Sequence, residues 1–275
     1  MAPAPRAPLR ANARIGMPAV QPLVLAFFSR YAAWMLARQF HSVRLARCGS
    51  PPALPNAQPL VVFLNHASWW DPLVSLWLAQ RFFPQRQHFG PMQADQLRRY
   101  GILRRIGMFG VERGTAGARD FLKTSAELLT RPGATLWLTP QARFADVRER
   151  PARFAPGLAH LLPKVHGIRC VSLALEYGFG EERLPEIRLR FGALRTDEDW
   201  SASGVETHPA ALGAALEREL EDNQDRLARL VCSGAEGCFE TLFQSTSGTS
   251  LPYDLWRRVR AAFGGVPANL NHSRS

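Results

Sequence analysis

Apolar positions along this chain fall into short blocks bounded by turn-forming residues. LVVFL (Leu60 to Leu64), ATLWLT (Ala134 to Thr139) and RCVSLALE (Arg169 to Glu176) are near-continuous apolar runs. Runs of that length read as strands buried on both faces. EIRLRF (Glu186 to Phe191) instead alternates Ile187, Leu189 and Phe191 with Arg188 and Arg190, which predicts a half-exposed strand. Shorter strand-like pieces span His88 to Met92 and Gly107 to Val111. Between them the period lengthens. A helix is predicted after Asp71-Pro72, carrying Leu73, Leu76, Trp77 and Leu78, because proline suits a first helical turn. Another follows ERGT, with Thr115 as its expected cap and Arg131-Pro132-Gly133 as its stop. Gly157 to Val165 reads as helical. So does the chain from Pro209 onward, where Leu212, Leu216, Leu220, Leu227 and Leu230 form a seam. Strands alternating with helices predict an α/β domain: a single mixed, mostly parallel sheet flanked by helices. No internal repeat is present.

The segment PLVLAFFSRYAAWMLARQFHSVRL, residues 22–45, is read as one helix. At about 100° per residue, Arg30, Arg38, His41 and Arg44 share a stripe. Leu25, Phe28, Ala32, Met35 and Leu36 lie opposite, and Phe27 falls among the arginines. Its uninterrupted apolar part is far shorter than the roughly 20 residues of a membrane span. A basic stripe against an apolar, aromatic one predicts a helix lying at a membrane surface; packing on the domain core is the plainer reading. The expected organisation is a basic N-terminus without fixed structure over 1–15, an amphipathic membrane-contact segment over 16–47, an α/β domain over 48–265 and an unstructured tail over 266–275.

Composition narrows the partners. The 275 residues hold 34 Lys+Arg and 23 Asp+Glu, a net charge of +11. Such an excess speaks to partners rather than fold, and favours nucleic acid, an anionic membrane surface or phosphorylated molecules. The basic residues are scattered and form no recognisable nucleic-acid module, so no nucleic acid is expected. The four cysteines, Cys48, Cys170, Cys232 and Cys238, form no CxxC pair or zinc pattern, and predict neither metal nor disulfide scaffold.

Three features could carry chemistry. In NHASWWDPL, a histidine (His66) follows a buried strand and an aspartate (Asp71) stands five residues on. Histidine titrates near neutrality and is the usual general base, and a carboxylate on its other nitrogen would fix the tautomer. The pair alone also fits a packed turn. In GMFGVERG, Arg113 leaves a strand for a glycine-containing turn before a helix, a place for a phosphate clamp or for a solvated arginine. In WLTPQARFADVRERPARFAPG, a buried strand runs into a loop holding Arg143, Arg148, Arg150 and Arg153. Loops at strand ends commonly carry binding groups.

Taken together and in order, these blocks resemble the glycerolipid acyltransferase family of the lysophosphatidic acid acyltransferase type. Asn65-His66-Ala67-Ser68-Trp69-Trp70-Asp71 matches the family's NHxxxxD in full. Gly107 to Arg113 is similar to the second block. In the third, FPEGTRS, only Pro140 of Thr139-Pro140-Gln141-Ala142-Arg143 is identical: Gln141 stands for Glu, Ala142 for Gly, and Arg143 is one place early. Cys170-Val171-Ser172 lies where a Pro-Val strand is expected and lacks the proline.

The resemblance implies transfer of a fatty acyl group from acyl-CoA or acyl carrier protein to a lipid hydroxyl, at the cytoplasmic face of a membrane, without cofactor or metal. His66 would be the base and Asp71 its orienting acid. Asn65, Ser68, Arg113, Gln141 and Arg143 would contact substrate. A lysophosphatidic acid-like acceptor is the family expectation. The altered third block leaves open an aminolipid or lipid glycoside acceptor, or a non-catalytic lipid-binding homologue. A thioesterase-like hydrolase would leave the arginines without a role. Trp69 and Trp70 would either wall the site from water or pack the helix on the sheet.

Overall fold

A computed structural model describes residues 17–202 and 208–245. The expectations for 1–15 and 266–275 therefore lie outside the described residues. The helices are α1 (Pro22–Gln39), α2 (Asp71–Phe82), α3 (Ala94–Arg99), α4 (Gly114–Leu129), α5 (Gly157–Leu161), α6 (Asp197–Ala202) and α7 (Pro209–Cys232). The strands are β1 (Ser42–Ala46), β2 (Leu60–Leu64), β3 (Gln87–Gln93), β4 (Met108–Val111), β5 (Ala134–Leu138), β6 (Arg169–Gly178), β7 (Glu186–Thr196) and β8 (Phe239–Gln244). They form one sheet in the order β4-β3-β5-β2-β6-β7-β1-β8. The pairs β4/β3, β3/β5, β5/β2, β2/β6 and β7/β1 are parallel, while β6/β7 and β1/β8 are antiparallel. This is the expected mixed, mostly parallel sheet.

Central β2 explains why a continuous apolar run was needed. Val61 and Phe63 enter a core with Leu128 of α4, Leu158 of α5 and Leu212 and Leu216 of α7. Leu60, Val62 and Leu64 enter a second core on the other face, with Leu36 of α1 and Val74 and Leu78 of α2. Burying each of these large side chains is worth about 1.5–3 kcal/mol. With helices on both faces, no position of β2 can be polar.

Four local expectations need correction. The first helix stops at Gln39, and residues 42–46 form strand β1 between β7 and β8. His41 and Arg44 therefore do not continue a helical stripe. The period-two pattern of SVRLA (Ser42 to Ala46) is too short to stand out after eighteen helical residues. Second, the helix from Pro209 ends at Cys232, and β8 follows it. Third, Thr115 does not cap α4: the cap position is Arg113, with no side-chain cap bond. Fourth, β7 is less exposed than its alternation suggests. Arg190 is buried, donating to Asn223 Oδ1 of α7 and to the Cys48 carbonyl.

Helix α1 packs on α2 and on the turn at 101–106. Ala32 and Leu36 are buried in that contact, and Leu25, Phe28 and Met35 are partly so. The apolar side read from the sequence thus faces the domain. The opposite side exposes Leu23, Phe27, Tyr31 and Trp34, at 87%, 64%, 39% and 52%, with Arg30 and Arg38 beside them. Arg38 lies over the Trp34 ring. Among the described residues, no helix is long and apolar enough to cross a membrane.

Candidate active site

The C-terminal ends of the parallel strands share one edge of the sheet, where open α/β sheets place their ligands. β2 ends there at Leu64, while its neighbour β6 runs on to Gly178. The departure of β2 would leave backbone groups of Leu175 unpaired inside the protein, which is costly. Asn65 resolves this. Its Nδ2 donates to the Leu175 carbonyl and its Oδ1 accepts from the Leu175 N–H, both at 2.9 Å. The carboxamide stands in for a peptide group of the ladder, so the main chain is free to leave the sheet at His66.

A second side-chain amide completes the exit. Gln141, buried at the end of β5, accepts the His66 N–H at Oε1 (2.8 Å) and donates from Nε2 to the Ala152 carbonyl (3.3 Å). The second of these contacts requires an amide, because a carboxylate has no hydrogen to give. The adjoining turn carries a non-glycine residue in the left-handed region: Ala142, at φ 53°. Where the resembled family has glycine, this chain holds alanine in a conformation that costs alanine energy.

His66 reaches Asp71 across the turn. Its Nδ1 lies 2.7 Å from Asp71 Oδ2. The same oxygen accepts the Ser68 N–H at 3.0 Å, and Oδ1 accepts the Tyr177 hydroxyl at 2.6 Å. With three donors converging on a buried carboxyl group, the imidazole is assigned its proton on Nδ1, which leaves Nε2 as an acceptor. Nε2 makes no hydrogen bond to any described residue, and the side chain is 19% exposed. The Phe144 ring lies over the imidazole, with centroids 4.3 Å apart, and is itself 59% exposed. The result is a histidine oriented on one side and open on the other, which can take a proton from a hydroxyl placed at Nε2.

Ser68 belongs to the turn that presents Asp71, its Oγ accepting the Trp70 N–H at 3.3 Å. Trp70 packs edge-on against Phe40, whereas Trp69 is 63% exposed. Arg113 leaves β4 exposed and meets no carboxylate among the described residues. Three strand spacings separate its strand from β2, roughly 14 Å. Arg143 is held by Glu149, Arg148 by Asp146 and Arg150 by Asp225. The guanidinium hydrogen bonds hold Glu149 and Asp146 below the usual carboxylate range. Two arginines of the loop are thus held by the loop's own acids and a third by Asp225 of α7, while Arg113 has no such partner among the described residues. No group of three or more His, Cys, Asp or Glu side chains suited to a metal occurs among the described residues.

Sequence reasoning missed Tyr177 and Phe144. Tyr177 was legible in principle. In β6, Val171, Leu173, Leu175 and Tyr177 share one face by period two, and that face meets α2. Burial beside the charge of Asp71 pushes its phenol far above the ordinary range, so it remains a donor. Phe144 carried no signal, because its position depends on how an irregular loop returns over the site.

The profile of the Acyltransferase family matches residues 47–175, which takes in β2, α2 and β3 through β5. No curated protein matches the sequence. Among solved structures, the chain is similar to the 1-acyl-sn-glycerophosphate (LPA) acyltransferase PlsC from Thermotoga maritima. The identity is 13% and the TM-score 0.45, over 78% of this chain and 79% of that one. Residues 47–175 thus form an acyltransferase-type domain within this chain.

Proposed function

We propose that the protein transfers a fatty acyl group from a thioester, acyl-CoA or acyl carrier protein, to the hydroxyl of a lysophosphatidic acid-like lipid at a membrane surface. One observation carries this reading: the 2.7 Å contact between His66 Nδ1 and Asp71 Oδ2, with Nε2 left open. The acceptor hydroxyl gives its proton to Nε2 as its oxygen attacks the thioester carbonyl. A C–O bond forms. The tetrahedral intermediate then expels sulfur, the C–S bond breaks, and the proton on Nε2 passes to the departing thiolate. Asp71 keeps the imidazole in the working tautomer and stabilises its charged form. The exposed, unpaired Arg113 supports an acceptor bearing a phosphate at that end of the sheet. An acceptor without phosphate, an aminolipid or lipid glycoside, is the second reading. It is favoured by Gln141, whose amide is spent on backbone partners, and by Arg143, which Glu149 occupies.

The exposed side of α1 supports membrane contact. Leu23, Phe27, Tyr31 and Trp34 form an apolar, aromatic stripe beside arginines, and such a stripe inserts at the headgroup boundary while the cations meet anionic lipid. Exposed Tyr100 and Ile102, in the turn that α1 packs on, extend the apolar surface.

The test is a transfer assay with labelled acyl-CoA and acyl carrier protein against a panel of lyso-lipids. His66→Ala is expected to lose at least a thousandfold in turnover while folding and sedimenting with anionic vesicles as before. Trp34→Glu should weaken that sedimentation. Undiminished transfer by His66→Ala removes the proposed base. Release of free fatty acid without an acceptor supports a hydrolase instead.

A further inference from the structure

We infer that Tyr177 is a positioning residue of the acyl-transfer site, one that sets the basicity of His66 through Asp71. The inference rests on the His66–Asp71 reading above. Tyr177 lies two residues beyond the span matched by the family profile, at the end of β6. Its hydroxyl donates to Asp71 Oδ1 at 2.6 Å, while Oδ2 of the same carboxyl group takes Nδ1 of His66. The two oxygens are thus divided between tyrosine and histidine. The phenol anchors the carboxylate from below the turn, so that rotation about the Asp71 side chain would break a buried hydrogen bond.

The tyrosine is itself fixed. Its ring packs on Phe40, with centroids 5.7 Å apart, and Phe40 packs on Trp70, the residue before Asp71. Neither neighbour carries charge. The adjacent titratable pair, Glu176 and Arg188, stand opposite each other in the β6/β7 register, while Tyr177 faces Ile187. Side chains alternate along strands, so that pair lies on the other face of the sheet. Asp71 is therefore the charged group that meets the phenol, with His66 beyond it on the same carboxyl group, while buried His41, next to Phe40, turns its Nε2 to Gln244.

The electrostatic consequence has a definite sign. A donor on Oδ1 draws negative charge away from Oδ2 and so reduces how strongly Asp71 stabilises the imidazolium. Removing the donor raises the affinity of His66 for its proton. Strengthening the donor lowers it. Tyr177 thereby trades some basicity of His66 for a fixed geometry.

The experiment measures pH profiles of kcat/KM in full-length enzyme with the acyl donor and acceptor identified by the panel assay. Tyr177→Phe keeps the ring and removes the hydroxyl. Replacement of Tyr177 by 3-fluorotyrosine keeps the fold and the bond while making the phenol a stronger donor. The expected result is a roughly tenfold loss of kcat/KM in Tyr177→Phe, with the acid limb moved to higher pH. The fluorinated protein should move the limb to lower pH. Unchanged limbs in both proteins would overturn the proposal and reduce Tyr177 to packing, even if Tyr177→Phe melts earlier. If Tyr177→Phe does not fold, the fluorinated protein alone decides. His66→Ala, run alongside, separates the two readings: activity surviving in that variant sinks the dyad itself, whereas a dead His66→Ala with unmoved limbs sinks only the role of Tyr177.

Discussion

Two histidines stand towards opposite ends of this sheet and have opposite fates: His88 is level with the start of β2, whereas His66 lies beyond its end. His66 follows β2; His88 lies inside β3. His88 is buried, with Nε2 on the Phe83 carbonyl at 2.9 Å and Nδ1 accepting the Trp137 indole N–H at 3.2 Å. Both nitrogens are spent on neutral partners. Burial, and to a lesser degree the charge of Arg86, pushes its pKa down to about 4. His66 spends one nitrogen on a carboxylate and keeps the other open. The residue type is the same, and the difference lies in what faces the second nitrogen and whether the first meets a charge. In this sheet a histidine nitrogen is left open only where the chain leaves the strand, because inside the sheet buried polar atoms find permanent partners.

The comparison can be broken from the His66 side. Asp71→Asn removes the charge that distinguishes the two rings and allows the wrong tautomer. Transfer should fall by roughly 10³-fold with the fold retained, as read by kcat and by thermal melting of the same preparation. Retention of most activity would mean that the carboxylate is only a turn residue.

From the His88 side the effect is on stability. The folded pKa is depressed to about 4, from an ordinary value of 6.5. The unfolded chain therefore binds more protons between those values, and stability falls as pH drops through that window. The contribution is fully present above pH 6.5 and amounts to about 3 kcal/mol lost by pH 4. His88→Gln should flatten that part of the stability profile in urea titrations at pH 7, 5.5 and 4.5. An unchanged slope would place the acid sensitivity elsewhere.

The smallest effect sharpens the comparison at the loop that holds His66. Ala142 occupies a left-handed conformation next to Gln141, which carries the His66 N–H. Ala142→Gly should stabilise the protein by about 1 kcal/mol, raising Tm with little change in transfer. A destabilised variant would show that the alanine methyl packs usefully.

Much of this was legible in the chain. Continuous apolar runs placed β2, β5 and β6, because burial on both faces permits nothing else. His66 and Asp71 were visible as a pair because the turn between them is local: the proline after Asp71 starts a helix where the strand has just ended. Short β1 and β8 were not legible. Each is defined by pairing with the other and, for β1, with the distant β7, and five or six residues of weak alternation do not announce a partner. In the arginine loop, Asp146 and Glu149 stand close in sequence to the arginines they hold, but only the fold brings Asp225 of α7 to Arg150.

What the sequence determined by itself is therefore the α/β class, the buried central strands and the local His66–Asp71 turn. These rest on periodicity and on short-range backbone geometry, which a few adjacent residues dictate. Only the tertiary structure decided that Asn65 replaces a peptide group in the ladder, that Gln141 holds the His66 N–H, that Tyr177 grips Asp71 from a strand 106 residues away, and which side of α1 faces outward. Those are long-range contacts, and each depends on where the sheet brings two distant segments together rather than on what either segment prefers alone.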